Sequence, residues 1–140
     1  MALTPQLYRL PVLLSRIITI GTLVTFGASA HEMTPAYPEV KMSHVKNVVK
    51  VEMSLFNSRE EIQYYQVDLF DLNWMPIPFS TPYKIMKVDY KEHKSFDVYI
   101  RKRDLPEAVF LCTTSKVRKT NVSRTLVSST ICSRLDGEPA

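Results

Sequence analysis

The sequence predicts an all-β chain, and three observations predict it. Apolar and polar residues alternate with period two in several runs. Short polar turns separate those runs at roughly the 8–12 residue spacing of two-sheet proteins. Two cysteines, Cys112 and Cys132, fall in neighbouring runs of strand character. With no helical crossover between strands, these features favour an immunoglobulin-like antiparallel β-sandwich of about seven strands with one disulfide. A small closed barrel is the second choice.

The first thirty residues stand apart. Arg9 and Arg16 precede the apolar run Ile17–Phe26, and Ala28-Ser29-Ala30 has the small-x-small form that signal peptidases accept. The apolar run is short for a bilayer span, so a retained anchor is the weaker alternative. Residues 1–30 are therefore expected to be a removable secretion signal, and 31–140 a single domain in the periplasm or the extracellular space. Removing the signal takes two positive charges and lowers the formal net charge from +4 to +2. That balance is too weak to argue for nucleic acid. A chain of 140 residues also excludes a large multidomain enzyme.

Each strand has its own signal. An irregular first strand is expected near Tyr37 to Met42. Val49, Val51, Met53 and Leu55 alternate with Lys50, Glu52 and Ser54, and Asn57–Glu61 follows as a polar turn. In Ile62–Leu72, Tyr65, Val67 and Leu69 share a face. Asn73–Phe79 is broken by Pro76 and Pro78 and reads as a connector or an edge. Tyr83–Val88 is a shorter strand, and Asp89–Lys94 a charged turn. Ser95–Arg101 alternates with Phe96, Val98 and Ile100 inward. Ala108–Thr113 and Leu126–Cys132 carry the cysteines, joined by the polar connector Thr114–Asn121. Past Ala30 the only glycine is Gly137, so the turns must be built by Pro, Asn, Asp and Ser.

In an exported chain two cysteines predict one bond, here between adjacent antiparallel strands. Closing a loop of about 20 residues contributes roughly 3 kcal/mol in the chain-entropy picture. No CxxC or Cys/His spacing argues for a metal pair.

Taken in order, Asn57-Ser58, Tyr65-Gln66-Val67, Met75-Pro76-Ile77-Pro78-Phe79, Pro82, Lys84-Ile85 and Phe96–Arg101 resemble the N-terminal domain of the periplasmic pilus-assembly chaperones of the chaperone–usher type. Leu105-Pro106-Glu107-Ala108-Val109-Phe110-Leu111 is similar to a further stretch of that family, and the cysteine pair resembles the disulfide between the last two strands in one of its subclasses. The likeness runs from about residue 33 to 135. It implies a protein that lends its last strand to a subunit with an open core, completing the partner's sheet by backbone pairing. It also implies basic anchors for a terminal carboxylate. Arg134 lies where the last-strand anchor falls. Tyr37 stands at the first-strand anchor position and cannot supply the charge, which leaves Lys41 as the substitute. The donated face is Thr125, Val127, Ser129 and Ile131. A chain of this length is expected to hold a single-domain form of that family, acting in the assembly of an exported or surface structure. Its expected partner is another exported protein, such as a pilin-like subunit.

Enzymatic readings find no support, since there is no Gly-x-Ser-x-Gly, no His-Glu-x-x-His and no phosphate-cradling glycine loop. No cofactor is expected. The alternative function is periplasmic copper binding: His31 as a mature terminus could chelate copper through its amine and imidazole, with His44 or His93 as a further ligand. Lys116, Arg118 and Lys119 form a small basic cluster, Asn121-Val122-Ser123 is a glycosylation sequon in a eukaryotic host, and Trp74, Met75 and Phe79 form a candidate exposed patch.

Overall fold

A computed structural model describes residues 30–116 and 127–135. Residues 1–29, with the expected signal, and residues 117–126, with Arg118, Lys119, the sequon and Thr125, lie outside the described residues. Among the described residues there are eight strands: β1 Glu32–Thr34, β2 Val40–Met42, β3 Val48–Phe56, β4 Tyr64–Phe70, β5 Ile85–Lys87, β6 His93–Arg101, β7 Phe110–Lys116 and β8 Thr130–Arg134. A single 3-10 turn, Leu105–Glu107, is the only helical piece among these residues. No helix among these residues is long and apolar enough to cross a membrane.

The strands form two antiparallel sheets, the expected immunoglobulin-like sandwich. In the first, β6 pairs the whole of β3 from Val48↔Arg101 to Phe56↔His93. β1 and β2 follow each other along the other side of β3, at Glu32↔Phe56 and Val40↔Val51. The second sheet runs β5-β4-β7-β8. Alternation decides the core. Val49, Val51, Met53 and Leu55 of β3 and Phe96, Val98 and Ile100 of β6 are buried against Tyr65, Val67 and Leu69 of β4 and Leu111 of β7. Each large apolar side chain removed from water there contributes about 1.5–3 kcal/mol. Slipping any of these strands by one residue would turn its apolar set to solvent.

The expected first strand is in fact two short ones. Pro35 and Pro38 fall between them and donate no backbone hydrogen bond, so the ladder with β3 breaks at 35–39 and resumes at Val40. The last strand lies further along than Leu126–Cys132 and includes Arg134. β7 is longer than expected, reaching Lys116. Cross-strand hydroxyls extend it: Thr114 Oγ1 lies 2.9 Å from Thr130 Oγ1, and Ser115 Oγ lies 3.3 Å from Ser129 Oγ. Such pairs stabilise a ladder without apolar alternation.

Candidate functional site

The candidate site is the edge of the second sheet. Among the described residues β8 pairs only with β7, from Phe110↔Arg134 to Thr114↔Thr130. The direction of its backbone groups follows from the hydrogen bonds. Ser115 N–H donates to the Ser129 carbonyl and Leu135 N–H to the Val109 carbonyl, both at 2.9 Å. Odd-numbered residues of β8 therefore face β7, and Thr130, Cys132 and Arg134 direct their backbone groups away from it. Arg134 N–H is taken by the Ala36 carbonyl at 2.9 Å. The outward groups of Thr130 and Cys132 have no backbone partner among the described residues. Among the described residues, β8 thus ends its sheet with two outward backbone positions unpaired.

Cys112 and Cys132 lie directly opposite each other, on a non-hydrogen-bonded pair where antiparallel strands approach most closely. They form the expected disulfide, with Cα atoms 4.0 Å apart. The bond sits on the outer face of the sheet and ties the open strand to β7. The inner face of β8 carries Ser129, Ile131, Ser133 and Leu135. Ile131 and Leu135 pack on the core, while Ser133 donates to the Pro35 carbonyl at 2.8 Å. Small hydroxyl residues here let the segment 31–36 lie close against the strand.

Behind the start of β8 is a buried polar network that sequence reasoning missed. Asn57, expected in a polar turn, is fully buried. Its amide donates to the carbonyls of Ile62 at 2.7 Å and Val88 at 3.0 Å. Its Oδ1 accepts from the Tyr65 hydroxyl at 2.5 Å and from Arg59 N–H at 2.8 Å. Burial pushes the Tyr65 phenol up to about 12. The Arg59 guanidinium, also buried, bonds Glu61 Oε1 through Nε at 2.8 Å and through its second terminal nitrogen at 2.7 Å. Its first terminal nitrogen donates to the Val127 carbonyl at 2.7 Å. That bond holds the chain just ahead of β8.

His31 joins the same network. Its ring is 1% exposed and lies 4.7 Å from the Tyr65 ring. Nε2 is 3.1 Å from the Thr113 carbonyl and 2.9 Å from Thr113 Oγ1. A carbonyl only accepts, so these partners assign the proton to Nε2. Nδ1 then accepts from the Ser129 hydroxyl at 3.2 Å. Burial holds the imidazole below its ordinary pKa; the Thr113 carbonyl opposes this shift and the positive Arg59 adds to it. A buried histidine at this position has no local sequence signal, because its partners are 82 and 98 residues away.

The residues singled out from sequence divide as follows. Val127 is 66% exposed beside the open edge. Ser129 and Ile131 face inward on either side of Thr130. Arg134 ends β8 with its guanidinium 5.8 Å from the centre of the Phe110 ring. Lys41 is on β2 in the other sheet, bonded to Glu52 at 2.6 Å. Glu52 also holds Lys50 at 2.6 Å, and the two ammonium groups draw its carboxyl down to about 2. The three histidines occupy separate places: His31 in the interior, His44 in the exposed β2–β3 turn, and His93 stacked on Phe56 at 4.4 Å. No group of three or more His, Cys, Asp or Glu side chains placed to hold a metal occurs among the described residues. Of the aromatic patch, Trp74 is 56% exposed and stacks on Phe110 at 4.7 Å, and Met75 is exposed, while Phe79 packs on the core.

No protein-family model matches the chain. No curated protein matches it either. Among solved structures it is similar to the crystal structure of the E. coli chaperone DraB, with a TM-score of 0.56 and 12% identity, over 76% of this chain and 53% of that one. The chain thus spans about half the length of that chaperone. At that identity the likeness is one of architecture: the sandwich that carries the open β8 edge is similar in fold to part of a chaperone.

Proposed function

We propose that this protein is a non-enzymatic protein-interaction module that acts by strand pairing at β8, in the assembly of an exported or surface structure. The observation that carries this reading is the outward edge at Thr130 and Cys132, unpaired among the described residues. The edge is tied from one side by the disulfide and its approach is held from behind by Arg59. An incoming strand would gain backbone hydrogen bonds from this edge, and its side chains would meet Val127 and the exposed face around Thr130. The fitting partner is an exported protein that presents an unpaired strand, such as a pilin-like subunit. Arg134, at the end of the edge, is the cation nearest to such a partner's terminal carboxylate. Residues 1–30 would serve as the secretion signal, in keeping with a disulfide that belongs to an oxidising compartment. The likeness in fold to a chaperone supports the same reading.

Two substitutions test it without entering the core. Thr130→Pro removes an outward N–H at an edge position where proline is tolerated. Val127→Asp places a charge beside the edge. Affinity capture from the native host should recover a partner with the wild-type protein and with Lys87→Ala on the opposite edge. Both test variants, folded by circular dichroism, should lose it. Retention of the partner by both would overturn strand pairing at β8.

A further inference from the structure

The β2–β3 turn and the turn after β6 meet at one end of the first sheet. Between them is an open depression of about 580 Å³ lined by Lys46, Asn47, Val48, Arg101, Lys102 and Arg103. Four of these six are cationic and none is acidic. Both turns are internally bonded. Val45 N–H donates to Ser43 Oγ at 2.9 Å, and Val48 N–H donates to the Val45 carbonyl at 3.2 Å. Asn47 adopts φ 62°, a left-handed conformation that asparagine tolerates better than most residues. Its carbonyl accepts from Lys102 N–H at 2.9 Å, which fastens one turn to the other. The cations are thus carried on a hydrogen-bonded frame rather than on loose chain.

Elsewhere among the described residues, several cations are held by carboxylates. Lys41 and Lys50 flank Glu52, Arg59 holds Glu61, and Lys87 holds Asp89. At the depression the compensation stops at Asp104. That carboxylate is bonded by Arg101 Nε at 2.5 Å and approached by Arg103 Nε at 3.6 Å. Lys46 and Lys102 have no acidic partner among the described residues. Four like charges over one concavity, against a single carboxylate, repel one another, and a bound anion would relieve that repulsion.

We propose that this depression binds the phosphate groups of an anionic ligand. Charges arrive from two turns on different sides. A tetrahedral phosphate offers three oxygens to such an arrangement, whereas a carboxylate offers two in one plane. Each arginine retains nitrogens beyond those given to Asp104 for paired bonds to oxygen, and the two lysines add compact point charges. The phosphate can come from a lipid headgroup or from a soluble phosphate ester. The site shares no residue with the β8 edge and does not depend on strand pairing there.

The test uses inorganic tripolyphosphate in calorimetric titration at low ionic strength. Alongside it runs flotation with phosphatidylcholine vesicles made with and without phosphatidylglycerol. Binding to tripolyphosphate alone assigns a soluble phosphate ester, binding to the anionic vesicles alone assigns a lipid surface, and binding to both assigns phosphate in either setting. In each case Lys46→Gln with Lys102→Gln should weaken binding about tenfold, and added salt should weaken it further. Lys87→Gln with Lys91→Gln removes the same charge elsewhere and should leave binding unchanged. The proposal is overturned if neither probe binds, if the two double variants weaken binding equally, or if citrate binds as tightly as tripolyphosphate.

Discussion

Replacing Asn57 by alanine should destabilise the protein more than any surface change to the same segment. The side chain satisfies four groups at once: the Tyr65 hydroxyl, the Arg59 N–H, and the carbonyls of Ile62 and Val88. A stranded buried polar group costs about 1–3 kcal/mol. Taking the lower end for all four gives a loss of about 4 kcal/mol, or on the order of 20 °C in Tm for a domain of this size. Tyr65→Phe removes one donor and leaves Asn57 its other bonds, so it should cost about 1 kcal/mol. Asn57→Asp would aim a carboxylate at two carbonyls and should be at least as damaging as alanine. Urea unfolding followed by far-ultraviolet circular dichroism and by Trp74 emission measures all three. The reasoning fails if Asn57→Ala stays within about 1 kcal/mol of wild type, or if Tyr65→Phe costs as much as Asn57→Ala.

The other expectations are narrower. His31 has a folded pKa below its unfolded value, so the unfolded chain binds the extra proton first; stability should be full above about pH 6.5 and fall as pH drops below it, before the carboxylates titrate. His31→Gln should flatten unfolding midpoints measured between pH 7 and pH 5, and a slope equal to wild type would count against the assignment. Reducing the disulfide, or replacing both cysteines by alanine, should lower stability by about 3 kcal/mol, read as the shift in urea midpoint with and without a phosphine reductant. Arg59→Met should free the Val127 carbonyl and speed amide exchange at Ser129 about tenfold with little change at Val98, whereas an equal rise at both would mean global loosening.

The sandwich was legible because its central strands face water on one side and the core on the other. Val49 to Leu55, Tyr65 to Leu69 and Phe96 to Ile100 all point as period two predicts. The disulfide was legible from number and context alone. The ends of strands were less so. β1 and β2 are three residues each and take their places from β3, so they carry too little pattern of their own. β7 outran its apolar run because hydroxyl pairs with β8 continue the ladder. The network behind the edge strand was not legible at all. Asn57, Arg59 and His31 look like solvated residues, and only contacts to β4, β7 and the approach to β8 bury them. The exposed edge itself required knowing that β8 lies last in its sheet, which depends on topology rather than on composition.

The bond between Cys112 and Cys132 also redirects mechanical load. A pull applied through the carboxyl end of β8 enters at Arg134 and crosses to β7 at the sulfur pair. The stretch between the two cysteines therefore carries no tension while the bond is intact. Were this protein tethered between a secreted partner and a moving surface, the ladder pairs Thr113↔Ile131 and Thr114↔Thr130 inside the loop would stay in register under forces that peel other strands away.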